Sequence, residues 1–314
     1  MQYHNFIIKK IEYCGKVMRS FFVSDLRYRQ SKYSREFNRV ASIIMPASLN
    51  EKINHRMIYD HNPDFTLLAD KVKVRDYVRD KIGEHYLVPL LGVYEKFDDI
   101  DIKLLPQKFV IKCTHDSGSA IICTNKNHFN FSKAKKKIEF CLRRNMYYAT
   151  REWHYKNIKP AVICEKYIDL FLEKDKSVTP EIFRLHCFSG QVQFVEVDIT
   201  DENKKEFVNV YNCSWQLLPF TVGYPTTDYP LEKPVKFAKL IALAEKLAED
   251  IDYCRVDMYA TDDEIYFSEI TLAPCNGRIK IKPLSWDFRL GELWESAKDK
   301  SAEDKIVRFF GGRL

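Results

Sequence analysis

Apolar residues recur at helical spacing through the first third of the chain and at strand spacing through most of the rest. From residue 1 to about residue 105 the pattern predicts mainly helices, clearest over Asp25 to Ile44 and Asp70 to Ile82. In the second of these, Val72, Val74, Tyr77, Val78 and Ile82 make a stripe close to the 3.6-residue period, and Gly83 follows as a C-cap. From Gln107 the period shortens to two. FVIKC (109–113) and AIICT (120–124) read as strands flanking the polar turn THDSGS (114–119). Ser132 is expected to cap a basic helix to about Arg144, and AVICEKYI (161–168) is another strand. IFRLHCF (182–188) and QVQFVEVDI (191–199) are joined by Ser189-Gly190, a hairpin turn. A helix from about Pro234 to Asp250 puts Phe237, Ile241, Ala244 and Leu247 on one face, and DYCRVDMYA (252–260) with EIYFSEIT (264–271) forms the last hairpin. The order predicts a mixed α+β chain: a mainly helical N-terminal lobe over 1–105, a small β-rich part over 106–168 and a larger one over 169–314.

Composition narrows the class. With 46% hydrophobic and 30% charged residues, the 314-residue chain is that of a globular protein, not a disordered one. The net charge, 50 − 44 = +6, is mild; it suits an anionic ligand without calling for nucleic acid. The densest basic run, Lys133 to Lys137, is read as the solvated face of a helix. Nine cysteines occur, none in a C-x-x-C pair, and Cys113, Cys123, Cys164, Cys187 and Cys254 sit within apolar strand-like runs. Such cysteines act as small hydrophobes, so neither a disulfide framework nor a zinc site is expected, and a reducing cytoplasm is. No signal-peptide core or apolar stretch approaching a membrane span is evident, so any membrane contact is expected to be peripheral.

Candidate chemistry concentrates in three places. The connection at Thr261 to Asp263 pairs residues of the last hairpin whose numbers sum to about 524, or to 526 with a bulge or shift. In the second register Asp257 faces Glu269, and Arg255 and Thr271 point the same way. Two carboxylates opposed across strands repel, and a divalent cation between them removes that cost; an all-oxygen set suits magnesium. An exposed face of mixed charge is the other reading. The second place is Lys112 and the turn after it, where backbone N–H groups could cradle a polyphosphate. Only 10 glycines occur in the chain, against about 22 at average usage of roughly 7%, so Gly118 marks a spot where the backbone needs freedom. A plain hairpin turn is the alternative there, and no Walker A pattern is present. The third is Glu165, either a solvated strand end or a hinge that reads an adenine edge. His115, His154 and His186 lack metal-ligand spacing and are read as structural or substrate-facing.

Together these segments resemble the TupA-like ATP-grasp family, named for teichuronopeptide biosynthesis. The resemblance spans nearly the whole chain. It runs through LNEKI (49–53), ADKVKVRDYVRDKIG (69–83), LVPLLGVY (87–94), KFVIKCTHDSGSAII (108–122) and REWHYKNIKP (151–160). It continues through EKYI (165–168), FRLHCFSG (183–190), EKPVKFAKLIALAEKLAED (232–250), CRVDMY (254–259) and FSEIT (267–271). It implies an ATP-grasp fold in which two β-rich subdomains enclose ATP, and carboxylate–amine ligation through an acyl phosphate with ATP and magnesium. By the resemblance, Lys112 is the ATP-phosphate lysine, and His115, Ser117, Gly118 and Ser119 belong to the glycine-rich loop. Glu165, Lys166 and Ile168 belong to the adenine hinge, Arg184 is a second basic position, Asp257 and Glu269 are magnesium ligands, and Arg255 lies beside the transferred phosphoryl group. Thr114 and Asp116 depart from the family, which often has asparagine and glycine there; an aspartate would bring a carboxylate toward phosphate.

The family context points to a cell-surface polysaccharide, with an amino acid or related amine joined to a uronic acid. The basic residues Lys71 and Arg75, with Asn50 and Lys52, are expected either to recognise that carboxylate or its carrier or simply to pair with local acids. Two rival readings are a glycosyltransferase of capsule or O-antigen assembly and a binding protein that kept the fold without the chemistry. The first would want a D-x-D metal motif, whose one match is Asp99-Ile100-Asp101 in a polar stretch.

Overall fold

The computed structural model describes residues 2–169, 178–201, 205–261 and 263–296. The helices of the first third are α1 (Gln2–Phe22), α2 (Asp25–Phe37), α3 (Leu49–Tyr59), α4 (Pro63–Ala69) and α5 (Lys73–Ile82). There follow β1 (Leu90–Tyr94), β2 (Phe109–Cys113), β3 (Ile121–Cys123), α6 (Phe131–Leu142), α7 (Met146–Thr150) and β4 (Val162–Lys166). The remainder comprises β5 (Val178–Phe188), β6 (Gln191–Asp201), β7 (Glu206–Tyr211), β8 (Thr221–Val222) and α8 (Phe237–Ala248), then β9 (Tyr253–Ala260), β10 (Ile265–Thr271), β11 (Ile281–Lys282) and α9 (Ser285–Ser296).

Helix ends follow local chemistry more than periodicity. The helix expected from Asp25 to Ile44 stops at Phe37, because Asn38 turns into the left-handed region (φ 51°). The buried Glu51 carboxylate then collects the backbone N–H groups of Ser42, Ala47 and Ser48, which replaces helical hydrogen bonding over that stretch. Asp70 ends α4 and starts α5, its Oδ1 accepting from Val72 N–H at 2.9 Å. The basic helix begins at Asn130 rather than Ser132: Asn130 Oδ1 accepts from Lys133 N–H at 2.8 Å.

The chain forms two compact units. One comprises Met1–Val40, Arg56–Tyr77 and Val88–Ile168; the other comprises Ala41–His55, Val78–Leu87 and Asp169–Leu314. The first contains an antiparallel sheet in the order β1-β4-β2-β3. Phe109, Ile111 and Cys113 alternate toward one face of it, where they meet Ala134, Ile138 and Cys141 of α6 in a closed apolar core. The residues between them, Val110 and Lys112, belong to the other face.

The second unit is built on a five-stranded antiparallel sheet in the order β10-β9-β5-β6-β7. Ser189 (φ 45°) and Gly190 (φ 82°) make the tight β5–β6 turn that the sequence predicts. Period-two alternation sorts the sheet into two faces. Leu185, Cys187, Val256 and Cys254 lie on the face that packs on α8, whose buried residues are Phe237, Leu240, Leu243, Ala244, Leu247 and Ala248. Arg184, His186, Arg255 and Asp257 lie on the other. All five strand cysteines singled out above are buried free thiols.

Candidate functional site

The two carboxylates that the last hairpin was expected to oppose are paired. Near the turn, β9 and β10 run in a register of Ile265 to Ala260, Tyr266 to Tyr259 and Phe267 to Met258; a bulge at Ser268 then shifts the pairing, so that Glu269 sits opposite Asp257 and Thr271 opposite Arg255. The bulge places the acidic pair. Without the extra residue Glu269 would face its neighbour across the pleat.

Arg255 grips Asp257 with both ends of its fork, Nε to Oδ1 at 2.7 Å and Nη2 to Oδ2 at 2.6 Å, and reaches Thr271 Oγ1 at 3.4 Å. Thr271 in turn donates to Glu269 Oε1 at 3.1 Å. Arg255 and Asp257 are buried and Glu269 is half-buried. Burial pushes the Asp257 carboxyl up to about 6 against the pull of Arg255, with the charge of Glu269 adding to the rise.

Arg184 of β5 extends the cluster. It is the cross-strand partner of Asp257 on one side and Glu196 on the other, and its guanidinium pairs with Asp198 and, at 3.7 Å, with Glu196. Glu196 is fully buried. Burial alone would raise its pKa, but the His186 contact and the charges of Arg255 and Arg184 outweigh that and hold it below the ordinary range. His186, stacked on Phe194, is kept neutral chiefly by burial. An ionised Glu196 can only accept, so His186 Nε2–H donates to it at 2.9 Å, and Nδ1 accepts from the Tyr253 hydroxyl at 3.0 Å. The named charges on this face, two arginines against Glu196, Asp198, Asp257 and Glu269, sum to 2 − 4 = −2.

That donor set meets the needs of magnesium in kind. Magnesium is held through one or two carboxylates, with the other positions left to water and substrate phosphate. Asp257 and Glu269 supply two carboxylates side by side, with both Asp257 oxygens engaged by Arg255; among the described residues no group of three or more His, Cys, Asp or Glu is placed to hold a metal ion. Glu196, Asp198 and His186 were not singled out from the sequence as part of this cluster. The signal was there: Glu196 and Asp198 alternate with Val195, Val197 and Ile199 in a strand whose apolar residues are all buried.

In the other unit, Lys112 Nζ lies 2.6 Å from Glu165 Oε2, and Arg75 holds Oε1 of the same carboxylate at 3.2 Å while donating to the Val88 carbonyl at 2.9 Å. Register explains the first contact: Glu165 pairs with Val110, two residues before Lys112 on the same face. Lys166 closes β4 with an exposed side chain, and Ile168 follows in irregular, half-buried chain.

The loop after β2 is anchored at its two ends and open at its tip. Ser119 Oγ accepts from Cys113 N–H at 2.9 Å, Thr114 N–H donates to Ala161 O at 3.0 Å, and His115 Nε2 lies 3.1 Å from Cys141 O and 3.0 Å from Arg144 O. Ser117 and Gly118 are exposed, and Gly118 has φ +90° with open space where a Cβ would be. Asp116 does not turn its charge outward. It is buried on Arg144 at 2.9 Å, and Lys71 Nζ donates to its backbone carbonyl at 2.8 Å. Asp116 is thus a brace for the loop.

Of the other basic and polar positions expected to meet substrate, Asn50 and Lys52 are engaged within their own unit. Asn50 exchanges hydrogen bonds with Ile279 at 3.0 and 2.6 Å and donates N–H to Asp287, and Lys52 donates to the Gly291 carbonyl at 2.8 Å. His154 is fully buried and, through burial and the charges of Arg29, Arg56 and Lys71, held down to about 3. The Asp99-Ile100-Asp101 match is spent on turns: Asp99 accepts from Lys96 N–H and Asp101 from Lys103 N–H.

A family model described as TupA-like ATPgrasp matches residues 51–295. No curated protein matches the chain. Among solved structures, the D-alanine–D-alanine ligase from Bacillus anthracis complexed with ATP is 15% identical, with 66% of this chain and 54% of that one covered and a TM-score of 0.36. The D-alanine–D-alanine ligase from Helicobacter pylori is 14% identical, with 73% and 58% covered and a TM-score of 0.40. An ADP complex of N5-carboxyaminoimidazole ribonucleotide synthetase is 15% identical, with 66% and 45% covered and a TM-score of 0.40. The chain spans about half the length of these solved proteins, 45% to 58%.

Proposed function

The chain belongs to the TupA-like ATP-grasp family, and from that premise we propose that it is an ATP- and magnesium-dependent carboxylate–amine ligase working through an acyl phosphate. The observation that carries the proposal is the bulge-set pair Asp257 and Glu269, with Arg255 forked onto it. A carboxylate is a poor electrophile. Phosphorylation turns it into an acyl phosphate that an amine can attack, and the protein need only orient the partners and neutralise charge. Asp257 and Glu269 would hold magnesium, whose chemistry is to offset charge on the outer phosphates of ATP. Arg255 and Arg184 would steady the transferring phosphoryl group. Lys112 and the Ser117-Gly118 tip would take the phosphate chain, and the Glu165 to Ile168 segment the adenine edge. The substrate pair is proposed from the family alone: a uronic acid of a cell-surface polysaccharide and an amino acid or similar amine.

A nucleotide panel tests the class. ATP with magnesium should raise the melting temperature, and a UDP-sugar should leave it unchanged. Stabilisation by the UDP-sugar and not by ATP would move the chain to the glycosyltransferase reading. ADP release screened over uronic acids paired with amines would then identify the substrates.

Arg75 takes a different role here from the substrate contact expected above. Glu165 carries two cations, so Lys112 can leave it for a phosphate while Arg75 keeps the buried carboxylate neutralised. In Arg75→Ala the carboxylate would hold Lys112 as its remaining cation among the described residues. The Michaelis constant for ATP should rise about tenfold, the loss of one charge-assisted hydrogen bond, with that for the acid unchanged. A rise confined to the acid would return Arg75 to substrate recognition.

A further inference from the structure

The helix α1 shows an apolar face that no described residue of its own unit covers. It packs through Tyr13, Val17 and Ser20, which are half-buried; the Tyr13 hydroxyl accepts from Asn145 N–H at 2.8 Å and donates to Asn145 O at 3.3 Å, beside α7. The residues at the next helical positions point elsewhere. Ile7, Ile11, Cys14, Met18, Phe21 and Phe22 recur every three or four residues along one stripe, and all are exposed. Ile11 is 67% exposed, Phe21 77% and Phe22 81%. Scattered exposed hydrophobes need no explanation, but a continuous row of large ones along a 21-residue helix does.

The charges around the row say what covers it. Lys10 borders it on one side and Arg19, which also stacks over the Tyr28 ring, lies toward the other, while Lys9 and Lys16 lie on the face opposite the row; with Glu12 the helix sums to 4 − 1 = +3. This is the pattern of a helix that lies in a membrane surface, its apolar side in the acyl boundary and its lysines among anionic headgroups. Lysine stems can lie along apolar surface while their ammonium groups stay in water. No helix among the described residues is long and apolar enough to cross a membrane, so the helix would lie on the bilayer and not span it. A second copy of the chain fits less well. Stripe-to-stripe pairing would bring two +3 helices together, and one row of side chains falls short of the roughly 20–30 residues a side of a stable interface.

We propose that α1 is an interfacial anchor for an anionic lipid surface, with Ile7, Ile11, Met18, Phe21 and Phe22 as the inserted side chains. The inference is independent of the ligase reading. The test is co-sedimentation of the full chain with vesicles of phosphatidylcholine alone or mixed with phosphatidylglycerol. Binding should appear on the anionic vesicles and weaken with salt. The triple variant Ile11→Gln, Met18→Gln and Phe21→Gln keeps helix propensity and should bind at least about tenfold more weakly, with an unchanged melting temperature. Should that variant fail to fold, Lys9→Gln with Lys10→Gln and Lys16→Gln should lower the salt dependence instead. The proposal is overturned if the wild-type chain ignores anionic vesicles, or if the triple variant folds and binds them equally. It is also overturned if ultracentrifugation finds a dimer that the triple variant dissociates, which would make a second copy the occupant.

Discussion

Asp257→Asn and Glu269→Gln each reduce turnover by about 10³-fold, the scale of losing a charge-stabilising group at a phosphoryl-transfer centre. The two substitutions keep side-chain shape and remove one negative charge from a face whose named charges sum to −2. They should differ in stability. Asp257 is buried under Arg255, so Asp257→Asn leaves an arginine with a weaker partner and lowers the melting temperature; Glu269 is half-buried, and Glu269→Gln lowers it less. Glu196 and Glu269 remain near Arg255 in the first variant, which is why the fold should survive it. ADP release across a magnesium titration, with circular dichroism on the same samples, reads both effects. Near wild-type activity of either variant at limiting magnesium would remove these residues from the metal site.

Arg255→Ala should lower the turnover number by about 10³-fold while changing ATP binding much less. The guanidinium lies on the Asp257 carboxylate and within reach of Thr271, so its charge is already oriented before substrate arrives. Comparable losses in turnover and in ATP affinity would make it a binding residue. The companion measurement follows oxygen. If the acid attacks the terminal phosphorus, ¹⁸O from its carboxylate ends on inorganic phosphate and the nucleotide product is ADP. If the acid is adenylated, the label ends on AMP and pyrophosphate is released. Label in AMP would exclude the acyl-phosphate route.

Much of this was legible from residue order because strand and hairpin chemistry is local. Ser189-Gly190 is a tight turn wherever it occurs between two β-branched runs, and the alternation of Phe109, Ile111 and Cys113 with Val110 and Lys112 names the two faces of a strand before any neighbour is known. The sequence left pairing sums of 524 and 526 open; both keep Asp257 and Glu269 on one face, and only the second opposes them. The bulge at Ser268 settled it, and no residue type there announces a bulge. Helix ends were less legible, because capping by Asn38, Asp70 and Asn130 overrode the apolar period.

The sequence by itself determined the mixed α+β class, the family, the alternating strands and the identities of the acidic and basic residues available for chemistry. The class, the strands and the residue identities are properties of spacing and residue type; the family comes from the resemblance, matched over residues 51–295. Only the tertiary structure decided which charges meet. Arg184, Glu196 and Asp198 join Asp257 because β5 lies between β9 and β6, an order set by sheet assembly. Arg75 meets Glu165 across 90 residues of chain, and Asp116 turns onto Arg144 instead of outward. Local sequence specifies which side chains exist and which way a strand presents them, but a buried charge is stable only beside a partner, and that partner comes from whatever segment the fold brings next to it.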